Sequence, residues 1–362
     1  MSQKISKKHL FFTEKLLEWN RLYNNRKMPW KFEKDPYKIW ISEIILQQTR
    51  VEQGTMYYNN FIKMFPNIIK LASASDAEVY KVWEGLGYYS RCRNLIATAK
   101  FIANEMRGVF PKSYDEILSL KGIGPYTAAA ISSFAFNLPY AVVDGNVMRV
   151  LSRFFGISTS IDSNEGKKTF NELANLLLDK KQPAIYNQAI MDFGATVCKP
   201  QLPLCNQCNL ASNCFSYKKN KVNEYPVKEK KLIKKERWFY YFIVRQKDSV
   251  WIRRREKKDI WQNLYEFVLL EKLTKLNVNE IIKSDEIQQT IGKSFTIKNI
   301  GEYYRQQLTH QTIHALFIEI EIKKTPIPEE YFAVKTAELE KLSFPKIIKD
   351  YIQKNTLPPS IK

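Results

Sequence analysis

The stretch Leu120-Lys121-Gly122-Ile123-Gly124-Pro125-Tyr126-Thr127-Ala128 decides the fold of the first part of the chain. Gly122 and Gly124 lie between two segments whose apolar residues have helical spacing. Two glycines one residue apart permit a tight turn, because a residue without Cβ tolerates positive φ and close backbone approach. Pro125 suits the first position of the next helix, and the N–H groups there form a natural phosphate site. The stretch predicts a helical hairpin, either an ordinary one or one that grips a DNA backbone.

Length and charge limit the class of protein. The chain has 362 residues, and its 57 Lys and Arg against 37 Asp and Glu give a net charge of +20. This length suits about two domains, and the charge favours an anionic partner, nucleic acid first, although it also fits a merely soluble basic protein. The sequence has no membrane-spanning run and no signal-peptide core. We therefore expect a cytoplasmic protein (at the nucleoid, in a bacterium) that is monomeric and has no membrane partner.

Four cysteines form the strongest local motif, Cys198-x6-Cys205-x2-Cys208-x5-Cys214. In a protein expected inside the cell, such a group indicates metal ligands rather than disulfides. Zinc sites usually combine two Cys-x-x-Cys pairs, and only one such pair is present here. The residues alone leave zinc and an iron–sulfur cluster open.

Two carboxylates carry the candidate chemistry. Asp35 and Pro36 predict the start of a helix with an apolar stripe, and Glu43 lies within it. Glu43 is either on a solvated flank or in a cleft, where desolvation would raise its pKa and make it a proton donor. Asp144 precedes another predicted helix. Its candidate roles are the N-cap of that helix, a carboxylate that stabilises a sugar cation, or both. One acidic and one ionised carboxylate are what glycosidic cleavage requires.

The pattern changes character in the second part of the chain. Helical periodicity continues to about residue 215, and residues 218–237 then contain eight lysines, one arginine and three glutamates. This composition predicts an exposed basic linker. Beyond it, aromatic and β-branched runs predict strands, followed by two short helices. We predict a mainly α domain over 1–217, a linker over 218–237 and an α+β domain over 238–362.

Together these motifs resemble the A/G-mismatch-specific adenine DNA glycosylases of the helix-hairpin-helix iron–sulfur superfamily. The matching pieces are the hairpin, Asp144, the cysteine loop, Met28-Pro29-Trp30 and residues 43–51, 85–91 and 187–194. In the second domain, residues 259–267 and Leu308-Thr309-His310 resemble the Nudix-like domain of that family. The resemblance implies a helix-hairpin-helix glycosylase domain with a [4Fe–4S] cluster loop at 198–214, and a Nudix-like recognition domain. It also implies that Cys198, Cys205, Cys208 and Cys214 hold the cluster.

The resemblance implies roles for individual residues. Glu43 would protonate adenine, and Asp144 would stabilise the sugar cation with support from Tyr126 and Asn146. Three residues would line the adenine pocket: Trp30, Leu46 and Gln188. Gln48 and Tyr88 would wedge into the duplex. Lys121, Gly122 and Gly124 would hold its backbone. Two residues would read the lesion: Thr309 and His310. The alternatives are core packing for the aromatic residues and Leu46, and a polar hairpin tip for Thr309 and His310.

The implied substrate is double-stranded DNA with adenine opposite 8-oxoguanine or guanine. Base removal would proceed without strand cleavage, because Tyr126 stands where lyases of the superfamily carry lysine. Lys31 and Leu308-Thr309 depart from the arginine and the phenylalanine–serine pair common in the family. The second domain lacks the glutamates that hold magnesium in Nudix hydrolases, so we expect no pyrophosphatase activity. The alternatives are a thymine-glycol type glycosylase with lyase activity and a non-catalytic DNA-binding protein; retention of Glu43 and Asp144 argues against the latter.

Overall fold

The computed structural model describes residues 6–229, 234–322 and 328–355. Its contacts divide the chain into two compact units, Met1–Ser73 with Asn94–Lys231, and Ala74–Arg93 with Leu232–Lys362. The domain boundaries predicted at 217 and 238 stay a prediction, and the contact grouping differs from them by assigning Ala74–Arg93 to the second unit. No helix in the described ranges has both the length and the apolar composition that a bilayer crossing requires.

The part of the chain before the strands is helical, as predicted. Its α-helices in chain order are α1 (Lys7–Leu22), α2 (Pro36–Leu46), α3 (Val51–Met64), α4 (Ile68–Ser73), α5 (Asp76–Trp83), α6 (Tyr89–Glu105), α7 (Tyr114–Ser119), α8 (Pro125–Phe136), α9 (Gly145–Phe155), α10 (Asn164–Leu177), α11 (Pro183–Thr196) and α12 (Phe215–Lys218). Two 3-10 turns, Cys205–Gln207 and Ala211–Asn213, lie between α11 and α12. Buried aromatic residues of α1, α9, α10 and α11 form one core, which includes Phe12, Phe154, Phe170 and Phe193.

The hairpin predicted at the two glycines is confirmed. Helix α7 ends at Ser119, and α8 begins at Pro125 with Gly124 as its N-cap. Gly122 has φ +80, and a Cβ built on it would lie 2.6 Å from the Cβ of Asn94. Only glycine fits this combination of left-handed backbone and close approach without strain.

The second unit contains one mixed sheet. Its strands are β1 (Lys235–Gln246), β2 (Ser249–Arg254), β3 (Tyr265–Lys272), β4 (Phe295–Gln307), β5 (Gln311–Ile322) and β6 (Phe332–Lys335). In the described residues the order is β4-β5-β1-β3-β2-β6, with β1 and β5 parallel and the other neighbours antiparallel. The helices α13 (Val278–Ile282), α14 (Asp285–Ile291) and α15 (Lys346–Asn355) complete the α+β architecture.

The periodicity of the sequence does not predict several short helices and strands of the second unit. The sequence pattern does not predict helices α13 and α14 or strand β6, and the first of the two short helices predicted after the strands is a 3-10 turn, Thr336–Lys341. Strand β1 begins at Lys235, inside the segment predicted as a linker. Elements of four to seven residues contain too few repeats for periodicity to identify them.

Specific contacts explain why Ala74–Arg93 belongs to the second unit. The buried Glu84 carboxylate accepts hydrogen bonds from the Phe344 backbone N–H at 3.1 Å and from the Lys349 ammonium at 2.6 Å. The Tyr80 hydroxyl accepts from the Asn263 amide at 2.9 Å. These partners are far away in sequence, so no local pattern could have revealed the grouping.

Candidate active site

One cavity of about 240 Å³ lies in the first unit. It is lined by all seven residues predicted as catalytic or adenine-pocket residues: Trp30, Glu43, Leu46, Tyr126, Asp144, Asn146 and Gln188. They come from α2, α8, α9, α11 and the loop before α2, which are widely separated in the sequence. The structure therefore brings the predicted set together, whereas the role of each residue stays a prediction.

Helix α2 places Glu43 at the cavity. The helix begins at Pro36, and the Asp35 carboxylate caps it by accepting from the Tyr37 N–H at 2.9 Å, as predicted. Glu43 is only 6% exposed, so the solvated-flank alternative does not hold. Burial raises its pKa from 4.5 to about 7; a hydrogen bond from Tyr126 opposes the shift, and the charge of Asp144 adds to it. A carboxyl group with this pKa is an effective proton donor near neutral pH.

Asp144 is the N-cap of α9, one of the two roles considered for it, and its action on a sugar cation stays a prediction. Its carboxylate accepts from the Val147 N–H at 2.8 Å. The Asn146 side-chain amide donates to the second oxygen at 2.6 Å. Burial raises the pKa of Asp144 above its usual value, while these two hydrogen bonds favour the ionised form and oppose the shift. The cap thus holds a carboxylate in a fixed orientation at the cavity wall.

Tyr126 supplies a hydroxyl between the two acids. Burial, and then the charges of Glu43 and Asp144, raise the pKa of Tyr126 well above its usual value. The hydroxyl therefore keeps its proton and donates a hydrogen bond to Glu43.

Arg149 supports Asn146 from behind and was missed as a site residue. Its guanidinium donates to the Asn146 side-chain oxygen at 2.8 Å, to the Gly194 carbonyl at 2.7 Å and to the Cys198 carbonyl at 2.8 Å. Because the Asn146 oxygen accepts from Arg149, the Asn146 nitrogen is left to donate to Asp144. The sequence contained Arg149 in the motif after Asp144, but nothing local indicated its partners.

The four predicted cysteine ligands line a second, smaller cavity of about 30 Å³, which is also in the first unit. The two 3-10 turns carry Cys205 and the residues just before Cys214. Arg153 lines the same cavity and donates to the Lys199 carbonyl at 2.7 Å and to the Tyr225 carbonyl at 3.0 Å. Across the described ranges, no three or more His, Cys, Asp or Glu side chains are arranged to hold a single metal ion.

The residues predicted to contact the duplex lie on exposed turns. Gln48, just after α2, has φ +60, and Tyr88, just before α6, has φ +48. Left-handed backbone at a non-glycine residue is uncommon and concentrates at functional sites. Lys121, Gly122 and Gly124 are exposed in the hairpin turn. Tyr88 belongs to the second unit and the others to the first.

Thr309 and His310 lie at the predicted hairpin tip between β4 and β5. The tip is closed by a hydrogen bond from the Leu308 N–H to the Gln311 carbonyl at 2.8 Å. The hydroxyls of Thr309 and Tyr88 are in hydrogen-bond contact, so a predicted lesion reader and a predicted wedge residue lie together in the second unit. The His310 side chain is exposed.

Further residues of the first cavity were not identified from the sequence. Those that are polar and precede α2 are Asn20, on α1, and Arg26, Glu33 and Lys34. Arg26 contacts the buried carboxylate of Asp192 at 2.9 Å. Lys31, which stands where arginine is common in the family, contacts it at 3.0 Å. The available signal was the run of basic residues around Met28-Pro29-Trp30, which alone did not distinguish a pocket wall from an exposed loop.

The raised pKa of Glu43 predicts a stability difference that depends on pH. Below about pH 4.5 the folded and unfolded states both hold the proton. Between about 4.5 and 7 only the unfolded state ionises, so the free energy of unfolding falls by about 3 kcal/mol in total. Glu43→Gln cannot ionise, so we expect its Tm to exceed that of the wild type at about pH 8 and the gain to disappear near pH 4.5.

The control for this measurement is Glu165→Gln, at an exposed glutamate in the first turn of α10. It should show no such gain at alkaline pH. Parallel curves of Tm against pH for the wild type and Glu43→Gln would contradict the burial of an acidic Glu43.

Family models match both parts of the chain. Residues 41–176 match the model described as HhH-GPD superfamily base excision DNA repair protein, and residues 240–354 match that of a NUDIX domain. The solved structure of a thermostable thymine-DNA glycosylase superposes with a TM-score of 0.55 and 31% identity, covering 59% of this chain and 98% of that one. The chain therefore combines a base-excision repair domain of the HhH-GPD superfamily with a Nudix domain that follows it.

Curated relatives narrow the class further. The adenine DNA glycosylase of Buchnera aphidicola subsp. Baizongia pistaciae is 37% identical over 324 residues, which cover 88% of each chain. That of Buchnera aphidicola subsp. Schizaphis graminum is 34% identical over 311 residues, covering 86% of this chain and 88% of the relative. The chain belongs to the adenine DNA glycosylase family.

Proposed function

We propose that this protein is an adenine DNA glycosylase that hydrolyses the N-glycosidic bond of adenine opposite 8-oxoguanine or guanine in double-stranded DNA. The observation that carries the proposal is the pair Glu43 and Asp144 in one cavity. Burial raises the pKa of both carboxyl groups, that of Glu43 to about 7, and hydrogen bonds from Val147 and Asn146 oppose the shift at Asp144. An acid and an ionised carboxylate in one pocket suit cleavage through a sugar cation.

The reaction follows from these two groups. Glu43 donates its proton to a ring nitrogen of adenine, and the base leaves with the bonding electrons of the glycosidic bond. Asp144 stabilises the cation that develops at the sugar carbon, and a hydrogen bond from Asn146 holds its orientation. Tyr126, which is hydrogen-bonded to Glu43, would support the pair. Water then adds its oxygen to the sugar carbon, and its proton restores the acid form of Glu43.

DNA binding is supported by the hairpin, by the charge and by two turns. At the start of α8, backbone N–H groups face outward beside the exposed Gly124, around whose Cβ position no atom lies within 4 Å. A phosphate can therefore approach this helix N-terminus closely. Gln48 and Tyr88 would enter the duplex as the adenine is flipped out. The net charge of +20 supplies long-range attraction.

The cysteine loop fits an iron–sulfur cluster better than a single zinc ion. The four thiols line one cavity, and their spacing, with a single Cys-x-x-Cys pair, resembles the cluster loop of the glycosylases rather than a zinc site with two such pairs. Cys198, Cys205, Cys208 and Cys214 would hold the [4Fe–4S] cluster. When bound, it would stabilise the loop and thereby the Arg149 and Arg153 contacts to it.

The second unit would read the base opposite the adenine. Glu43 acts in a pocket that accepts only the flipped adenine, so another part of the protein must sense the oxidised guanine. Thr309 and His310 offer a hydroxyl and an imidazole at the tip of the β4–β5 hairpin. Removing the Nudix-like domain is a poor test, because Glu84 and Tyr80 would lose the partners described above.

Point substitutions in the full-length chain test this role. We expect Thr309→Ala with His310→Ala to reduce the preference for 8-oxoguanine over guanine by about tenfold for each lost polar contact. The rate of adenine release from each duplex under single-turnover conditions gives this ratio. Thr296→Ala, at an exposed threonine of β4 far from the tip in sequence, is the matched control. An unchanged ratio in the double variant would assign lesion reading elsewhere.

The proposed function is tested with a set of duplexes. Adenine opposite 8-oxoguanine, adenine opposite guanine and thymine opposite guanine are incubated with the protein, and alkali then cleaves the abasic sites. We expect strand breaks for the two adenine duplexes only, and few breaks without alkali. Borohydride trapping at the rate of base release would favour the thymine-glycol type lyase, and release of thymine in place of adenine would contradict the adenine specificity.

A further inference from the structure

We infer that Asp192 is a positioning residue that makes the cavity selective for adenine by fixing which end of the Gln188 amide faces the base. The inference rests on the proposed function, because it concerns the base that the cavity accepts. Asp192 lies on α11, one turn after Gln188, and its side chain is completely buried.

Four donors surround the Asp192 carboxylate. One oxygen accepts from Arg26 at 2.9 Å and from Gln188 at 3.0 Å. The other oxygen accepts from Asn24 at 2.9 Å and forms an ion pair with the Lys31 ammonium at 3.0 Å. A carboxylate has about four acceptor positions, so its capacity is used and Asp192 has none left for a ligand. Its effect on the base must therefore pass through a neighbour.

Gln188 is the neighbour that connects Asp192 to the cavity. It lines the cavity, and its side-chain nitrogen donates to Asp192. An ionised carboxylate only accepts hydrogen bonds, so the nitrogen end of the amide must face Asp192. The carbonyl oxygen of the amide is then left for the cavity. Arg26 and Lys31 reinforce this orientation, because their positive charges lie against the carboxylate and complete its set of donors.

The orientation sets which base fits. Adenine carries an exocyclic amino group, which donates a hydrogen bond, whereas guanine carries a carbonyl oxygen at the same position. A fixed acceptor from Gln188 matches the amino group and opposes the carbonyl. If the amide could rotate by half a turn, it would present a donor instead, and this distinction would be lost.

Asp192→Asn is the decisive variant, because an amide at this position can both donate and accept. The measured quantity is the ratio of single-turnover release rates for adenine and for unsubstituted purine, each opposite 8-oxoguanine. Purine lacks the amino group, so it gains nothing from the Gln188 acceptor. We expect Asp192→Asn and Gln188→Ala each to lower the ratio by about tenfold. In the Gln188→Ala background, Asp192→Asn should lower it no further.

A second carboxylate–glutamine pair provides the control. Asp179 accepts from the Gln182 side chain at 2.8 Å, and neither residue lines the cavity. Asp179→Asn should keep the wild-type ratio. Asp192→Glu should lower the ratio less than Asp192→Asn does, because the acceptor-only carboxylate is retained.

The outcomes separate this inference from the proposed function. If the wild type releases adenine but Gln188→Ala keeps its ratio, the inference is overturned, whether or not Asp192→Asn folds. An equal fall of the ratio for Asp192→Asn in both backgrounds would also overturn it, because the effect would then not pass through Gln188. A wild type that releases no adenine from any duplex would overturn the proposed function and this inference with it.

Discussion

Glu43→Gln should release adenine at least about two to three orders of magnitude more slowly than the wild type, because the buried proton donor is lost. Asp144→Asn should show a loss of similar size, because it removes the charge that stabilises the sugar cation. The two roles differ, so neither residue can compensate for the other. Single-turnover release from a duplex with adenine opposite 8-oxoguanine measures both effects.

A binding measurement distinguishes a loss of catalysis from a loss of the folded structure. Glu43→Gln preserves the shape of the side chain, so it should bind the same duplex with nearly unchanged affinity. Glu165→Gln, on the exposed start of α10, serves again as the matched control and should release adenine at the wild-type rate. Near-normal release by Glu43→Gln would show that another group protonates the base.

Cys208→Ser should remove most of the bound iron, which is the second large effect that we expect. The purified wild type should be yellow-brown and contain about four iron atoms per chain. The variant should lose most of this iron, and its Tm should fall by roughly 10 °C or more, because binding energy at a structural metal site is folding energy. Iron analysis and thermal unfolding measure the two effects without reference to activity.

Cys92 offers the matched control for the cysteine substitution. It is a buried thiol in the second unit and is not among the residues that line the four-cysteine cavity. Cys92→Ser should keep the full iron content, whatever its effect on stability. A wild type with stoichiometric zinc and no iron after anaerobic purification would contradict the cluster.

Most of the correct predictions rested on residues that are neighbours in the sequence. Asp35 with Pro36 identified the start of α2, and the paired glycines identified the hairpin, because caps and tight turns depend on neighbours in sequence. The apolar stripe of α2 predicted which face is buried, but only the fold could decide whether Glu43 faces a cleft. The cavity in the first unit resolves this question.

The features that sequence reasoning missed depend on residues that meet only in the folded chain. Arg149 joins Asn146 to the Cys198 carbonyl, 49 residues further along. Asp192 is paired with Arg26, 166 residues away. Periodicity and caps contain no information about such partners, because each contact is created by helix packing.

The pH dependence of adenine release tests the central claim most directly, because it reports the protonation state that Glu43 needs. The measurement is the single-turnover rate of the wild type on a duplex with adenine opposite 8-oxoguanine, from about pH 5 to about pH 9. The pKa of about 7 predicts that the rate falls above neutral pH and approaches a tenfold decrease for each further pH unit. A rate that stays constant up to about pH 9 would contradict Glu43 as the acid.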